Sequence, residues 1–123
     1  MKIEVSNGEV LDKLSILEIK SRKITDQSKL VNVENERKVL IPVYALIATN
    51  SEIESKFMEL IQVNTTLWEI EDKIRVKETS EQFDQEFIEL ARSVYKQNDI
   101  RARIKKEINL LSNSILIEEK SYV

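Results

Sequence analysis

The sequence predicts an all-α fold, an antiparallel bundle of about four helices in a single domain spanning residues 1–123. Three observations lead to this fold class. The chain has one Gly and one Pro, so few residues interrupt a helix. Apolar residues recur at spacings of three and four in four long segments, which places them on one helical face. Hydrophobic residues make up 41% and charged residues 33%, a balance typical of a folded domain.

The first two helices are predicted from their N-terminal caps. Ser6 with Glu9 fits the capping-box pattern S-x-x-E, in which the hydroxyl accepts a hydrogen bond from the first turn. Asp26 is a simple cap for the second helix. Pro42 lies inside that second segment, where its missing N–H predicts a kink or a break.

The third and fourth helices follow from two more caps. Ser51 with Glu54 repeats the capping-box pattern, and Thr79 or Ser80 is a plausible cap for the last helix. Short connections make successive helices antiparallel neighbours. We therefore expect helices at about residues 8 to 24, 27 to 48, 52 to 78 and 81 to 112.

Two further features concern packing. The first helix is apolar on more than one side, with Leu14 on one stripe and Leu11 and Ile16 on others, so it needs more than one neighbour. Helices of this kind favour a homodimer. The segments Lys2 to Val5 and Ser114 to Glu119 are rich in Ile, Val and Leu without a cap, and are candidates for a small two-stranded ribbon formed by the termini.

The composition excludes several kinds of site. Without Cys or His the chain has no thiolate nucleophile, imidazole base or His/Cys metal site, and a single Gly cannot build a glycine-rich phosphate loop. No metal site and no cofactor are predicted. The N-terminus lacks the basic and apolar regions of a signal peptide, and no segment reaches the ~20 apolar residues of a membrane span. We therefore expect a cytoplasmic protein that does not contact membranes.

Polar side chains interrupt the apolar stripes of three predicted helices. A charge on a core-facing stripe must be paired or must line a wet cleft, because an unpaired buried charge costs several kcal/mol. One interpretation is a cleft that binds a phosphate or carboxylate; the other is a network, together with Asn64, that fixes helix register. The candidate ligand-binding residues are Arg37, Glu71, Arg75, Asn98, Arg101 and Lys105.

Two charged surface patterns, a basic stripe and a set of acidic pairs, each have a functional and a structural interpretation. A basic stripe on the last helix could bind nucleic acid, but the net charge of −3 and the lack of a stacking aromatic residue on the stripe disfavour this. Acidic pairs at E-x-x-D and E-x-x-E spacing occur in the order opposite to that of helical nucleotide pyrophosphohydrolases, so we interpret them as solvated surface. The basic stripe consists of Arg92, Lys96, Arg103 and Lys106.

Four separated blocks resemble a small family of uncharacterised proteins of bacteria and phages. The resemblance covers nearly the full chain and implies no known activity, ligand or catalytic residue. The blocks are SNGEVLDKLSILEIK (6–20), LWEIEDKIR (67–75), FIELARSVYKQNDIRARIKKEIN (87–109) and LIEEKSY (116–122).

The sequence thus leaves the biochemical activity unknown and favours a non-enzymatic helical protein that self-associates as an interaction or scaffold module, as a homodimer or with a protein partner. The alternative is a binder of an anionic metabolite, or a small enzyme acting on one, at the cluster of Arg, Lys and Glu residues. Nucleic-acid binding through the basic stripe is the third and least favoured hypothesis.

Overall fold

A computed structural model describes residues 1–121, and four helices account for most of them. The four predicted helices are confirmed, and three of them begin and end within one residue of the expected positions. The helices are α1 (Asn7–Lys23), α2 (Gln27–Ile47), α3 (Ser51–Thr79) and α4 (Gln85–Leu111). None of them is both long and apolar enough to cross a membrane, within the part of the chain that the structure describes.

The caps explain where the helices begin. Ser6 Oγ accepts from the N–H of Glu9, and Asp26 caps α2, as predicted. The cap of α3 is Asn50, one residue before the predicted Ser51. Each cap accepts hydrogen bonds from N–H groups of the first turn that have no partner within the helix.

The predicted start of α4 was wrong by four residues. Thr79 is the last residue of α3 and Ser80 its C-terminal cap, so neither caps α4. The chain then turns at Glu81, which has a positive φ of 54°, and α4 begins after Asp84, whose carboxylate accepts from the N–H of Phe87 at 3.0 Å. Three candidate caps within six residues, Thr79, Ser80 and Asp84, made the choice ambiguous from the sequence.

Pro42 does not break α2, which continues through it to Ile47. The side chain of Pro42 is exposed. Its ring therefore meets no neighbouring helix, and the carbonyl of Lys38, which loses its N–H partner, stands on an exposed part of the helix. Of the predicted kink or break, the break was wrong, because the helix continues through Pro42 at this exposed position.

The helices alternate in direction, as expected for an antiparallel bundle. Lys56 of α3 pairs with Glu107 of α4 near one end of their contact, and Lys77 pairs with Asp84 at the other. Helix α1 occupies the centre and contacts all three other helices, which confirms that it needs more than one neighbour. Helix α2 packs mainly on α1.

The core lies between α1, the facing sides of α3 and α4, and the C-terminal end of α2. Tyr44 of α2 reaches Phe57 of α3, with ring centroids 4.7 Å apart. Full burial of one large apolar side chain contributes ~1.5–3 kcal/mol, so the burial of the core side chains provides most of the free energy that favours folding. The buried core residues are Leu11, Leu14, Ile47, Ile53, Phe57, Leu60, Val63, Ile104 and Ile108.

The predicted terminal ribbon was wrong, because neither segment forms a strand and no backbone hydrogen bonds join them. The two termini nevertheless meet. Ser6 Oγ donates to Glu118 Oε1 at 2.5 Å, and the N–H of Asn7 donates to Ser114 Oγ at 3.0 Å. Side-chain hydrogen bonds at the start of α1 thus replace the expected strand pairing.

Candidate functional site

A buried polar network joins α1, α3 and α4, and its centre is Asp12, which is 1% exposed. Arg101 donates to both carboxylate oxygens, from Nε at 2.8 Å and from Nη2 at 2.5 Å. Asn64 donates from Nδ2 to Asp12 at 3.0 Å and to Ser15 Oγ at 2.8 Å. The hydrogen bonds from Arg101 to Asp12 are the main cause that raises the pKa of Arg101 above its usual value. The network thus connects three helices through side-chain hydrogen bonds.

The N-terminus of α1 is bound by side chains from the C-terminal end of α4. The N–H of Gly8 donates to Asn109 Oδ1 at 2.6 Å, deep in the interface. A Cβ at position 8 would overlap the backbone carbonyl oxygen of Lys105, so only Gly allows this approach. Because side chains satisfy these N–H groups, the end of α1 is a packing contact between helices.

Three of the predicted site residues lie together on α4, facing α1. They are Asn98, Arg101 and Lys105, and their spacing of three and four residues aligns them along one face. Lys105 Nζ pairs with Glu9 at 2.6 Å and lies 3.9 Å from Asp12. Each of these two cations therefore has a carboxylate partner on α1.

The other predicted residues form no ion pair with this group, although Glu71 and Arg75 line a shared groove with Asn98 and Arg101. Arg75 and Glu71 of α3 are exposed and pair loosely with each other at 3.9 Å. Arg37 lies in the α1–α2 hairpin, where it pairs with Glu18 at 2.7 Å and Glu34 at 3.0 Å. Hydrogen bonds to Glu18 and Glu34 raise the pKa of Arg37. The structure thus places Arg37 away from the predicted cleft.

A groove runs between α1, α3 and α4 on the side of the bundle that carries this network. Its two adjoining parts have volumes of about 610 Å³ and 450 Å³ and share Val94, Asn98 and Arg101. The larger part is lined by α4 as far as Lys105 and by Lys120 of the C-terminal segment. The smaller part is lined by Trp68 and aliphatic side chains, and also by the polar residues Asn64, Glu71, Asp72 and Arg75. These volumes lie within the range of small-molecule sites. The groove thus joins a more polar end on α4 to a mainly apolar end.

The basic stripe lies on the exposed side of α4, as the sequence predicts. All four residues, Arg92, Lys96, Arg103 and Lys106, are exposed. Lys106 pairs with Glu119 of the C-terminal segment at 2.9 Å. No aromatic side chain was expected on this stripe, but Tyr95, next to Lys96 and three residues after Arg92, is 55% exposed.

The outer face of α2 carries five uncharged residues. Val33 and Ile47, on the inner side, are buried. On the opposite side, an arc of about 80° around the helix axis contains Val31, Val39 and Leu46, which are 60%, 69% and 79% exposed. Sequence reasoning grouped the apolar residues of this helix into one inward stripe and missed the second. The outer face of α2 consists of Val31, Asn35, Val39, Pro42 and Leu46.

The acidic pairs lie on helix surfaces. Glu69 and Asp72 of α3 are exposed, as are Glu86 and Glu89 of α4. Within residues 1–121, no three acidic side chains are grouped so that they could hold a metal ion. Glu86 instead pairs with Lys77 at 3.2 Å.

Comparison with known proteins finds one family. Residues 1–123 match the model of a family of unknown function, DUF6165. No curated protein and no solved structure matches the chain.

Proposed function

The chain belongs to DUF6165, a family of unknown function, and we propose that it acts as a non-enzymatic interaction module that forms a homodimer through α2. The observation that carries this proposal is the outer face of α2. Val39 and Leu46 expose 69% and 79% of their surface there, although apolar side chains of this size are normally withdrawn from water. A second α2 packed against this face would bury them.

The position of α2 in the bundle supports the same proposal. Helix α2 packs mainly on α1, whereas α1 contacts three helices, so α2 lacks the neighbours that a bundle helix normally has. Only Val33 and Ile47 of its 21 residues are buried. A second copy would supply the missing neighbour on the side opposite α1.

The chemistry of the face suits a second copy of the same chain. A two-fold axis brings identical surfaces together, so a face with charges of one sign would repel itself. The five residues of the outer face carry no charge, and Asn35, one turn after Val31, can bond to its symmetry mate in a parallel pair of helices. A single polar residue in an apolar helix seam fixes register in this way.

The size of the face sets the expected strength of the dimer. From Val31 to Leu46 it extends about 22 Å along the helix. Two such faces would bury on the order of 400–600 Å² per copy, less than the ~800 Å² of a standard interface. We therefore propose a weak dimer with a dissociation constant on the order of micromolar.

The polar network supports a non-catalytic role. Arg101 and Lys105 are both paired with carboxylates of α1, and Arg37 is paired in a different hairpin. A cytoplasmic location, and the origin in bacteria or phages that the sequence blocks imply, are part of the same proposal.

Sedimentation or light scattering over a concentration series tests the dimer. We expect the mean mass to rise from 14.4 kDa towards twice that value through the micromolar range. Val39→Glu places a charge in the seam and should give the monomer mass throughout. The matched control is Val76→Glu, since Val76 is 65% exposed on α3 and outside the face.

Two results would contradict the proposal. One is a monomer mass for the unmodified chain at every concentration. The other is equal self-association of the Val39→Glu and Val76→Glu variants. Circular dichroism of both variants verifies that each remains helical, as expected at exposed positions.

A further inference from the structure

The groove between α1, α3 and α4 has a polar end on α4, where donors of Arg101, Asn98 and Lys105 lie beside the ion pair of Lys120 with Asp99, 3.4 Å apart. Asp12 accepts hydrogen bonds from the Nε–H of Arg101 and from one N–H of its Nη2. One N–H of Nη1 donates to Asn98 Oδ1 at 3.4 Å. A guanidinium has five N–H donors, so with three engaged, two remain for an acceptor in the groove.

The neighbours of Arg101 add further donors. Asn98 uses its oxygen towards Arg101, and its amide N–H groups have no partner among the described residues. Lys105 lines the same part of the groove and has three donors, of which Glu9 takes one. The carboxylate of Asp12 is 2% exposed and cannot offer acceptors to a ligand, and that of Asp99, which also lines this part, is paired with Lys120 at 3.4 Å. A ligand group rich in acceptors fits this end.

Asp12 also fixes the direction of Arg101. Two hydrogen bonds to a buried carboxylate hold the guanidinium plane, so little side-chain freedom is lost when a ligand binds. Arg presents its N–H groups in a fork that matches two oxygens of a carboxylate or phosphate. The polar end is thus preorganised for an anion with paired oxygens.

The other end of the groove is mainly apolar, and its charged residues, Glu71, Asp72 and Arg75, are exposed, with Arg75 and Glu71 paired at 3.9 Å. Ile16 and Ile19 of α1, Leu67 and Trp68 of α3 and Val94 of α4 line it. Trp68 is partly exposed, so its ring is available to a molecule in the groove. This end fits an aliphatic chain or an aromatic ring.

We propose that the groove binds a small amphipathic carboxylate, with its anionic group on Arg101 and Asn98 and its apolar part against Trp68. No residue of α2 lines the groove, so this site is separate from the proposed dimer face. Loss of one would leave the other intact.

Trp68 is the single Trp of the chain, so its fluorescence reports on the groove directly. The probes are octanoate and the uncharged octanamide, which share a chain length and differ in the headgroup. We expect octanoate to shift the emission of Trp68 with saturation, and octanamide to bind about tenfold more weakly or worse, because it lacks the charge that Arg101 pairs with. Equal binding of the two probes, or no response to octanoate, would overturn the proposal.

Three variants locate the site. Arg101→Gln should weaken octanoate binding about tenfold or more, and Asn98→Ala should weaken it several-fold while leaving the Asp12 contacts in place. The control is Arg103→Gln on the exposed side of α4, which should bind as the unmodified chain does. If Arg101→Gln does not fold, Asn98→Ala decides: octanoate binding equal to that of Arg103→Gln would refute the site.

Discussion

Replacing Asp12 with Asn tests whether the buried network holds the bundle together. The substitution keeps the volume of the side chain but removes its charge and turns one acceptor into a donor. In the place of Oδ1, the new N–H₂ group would face the donors Arg101 Nε and Asn64 Nδ2, which now lie at 2.8 Å and 3.0 Å; in the place of Oδ2, it would face Arg101 Nη2. The guanidinium would lose the charge that compensates its burial.

The expected magnitude follows from the burial of the two partners. Removing one partner of a fully buried ion pair costs ~3–5 kcal/mol. The Asp12 side chain is 2% exposed, but the Arg101 side chain is 28% exposed and can turn partly towards water in the variant. We therefore expect a loss of ~2–4 kcal/mol in the free energy of unfolding. For a domain of this length that corresponds to a fall of roughly 10 °C in Tm.

Urea denaturation followed by circular dichroism measures this loss, with an unchanged slope showing that both proteins unfold from compact states. The matched control is Asp72→Asn, the same substitution at an exposed position of α3, which should change stability by less than ~0.5 kcal/mol. A double variant with Arg101→Met should cost less than the two single changes together, since the pair disappears as a unit. If Asp12→Asn costs no more than Asp72→Asn, the network does not stabilise the fold.

Two further predictions concern single contacts. Gly8→Ala should lower the free energy of unfolding by ~1–3 kcal/mol in the same assay, because its Cβ would overlap the carbonyl of Lys105; a helical Gly→Ala change ordinarily stabilises by ~1 kcal/mol, so a gain would refute the contact. The pKa of Asp84 lies below its usual 3.8, mainly through the hydrogen bond from Lys77, so its contribution to stability is present above pH 3.8 and lost as the pH falls through the lowered pKa. Lys77→Met should raise the pKa of Asp84 towards 3.8 in an NMR titration, and an unchanged pKa would contradict this assignment.

The helices could be predicted because their signals are local. Apolar spacing and caps such as Ser6 and Asp26 act within one or two turns, so the sequence contains them directly. The prediction of where α4 begins was wrong because three polar residues, Thr79, Ser80 and Asp84, are all candidate caps. The choice among them depends on where α3 stops, which the packing of α3 against α4 decides.

The sequence predicted the α3 and α4 members of the polar network but not its α1 member. Asn64 and Arg101 stand on apolar stripes, and the sequence indicates that each needs a partner. Asp12 was missed because an acidic residue near a helix start has an ordinary explanation in the helix dipole. The available signal was its alignment with Gly8 and Ser15 at spacings of four and three, since two small residues on one face allow a close helix. Which distant residue fills that face is a tertiary question that spacing does not answer.

The two proposals follow from one asymmetry in how the helices are fixed. Helix α1 has seven buried residues and is tied to α3 and α4 by the contacts of Asp12 and Gly8, whereas α2 has two. A rigid α1–α3–α4 unit can keep a groove open and hold Arg101 in one direction, as a preorganised site requires. An element with few buried residues opens more readily and gains most from a partner that covers it. The firm side of the bundle is therefore suited to a small ligand, and the weakly held α2 to a second copy of the chain.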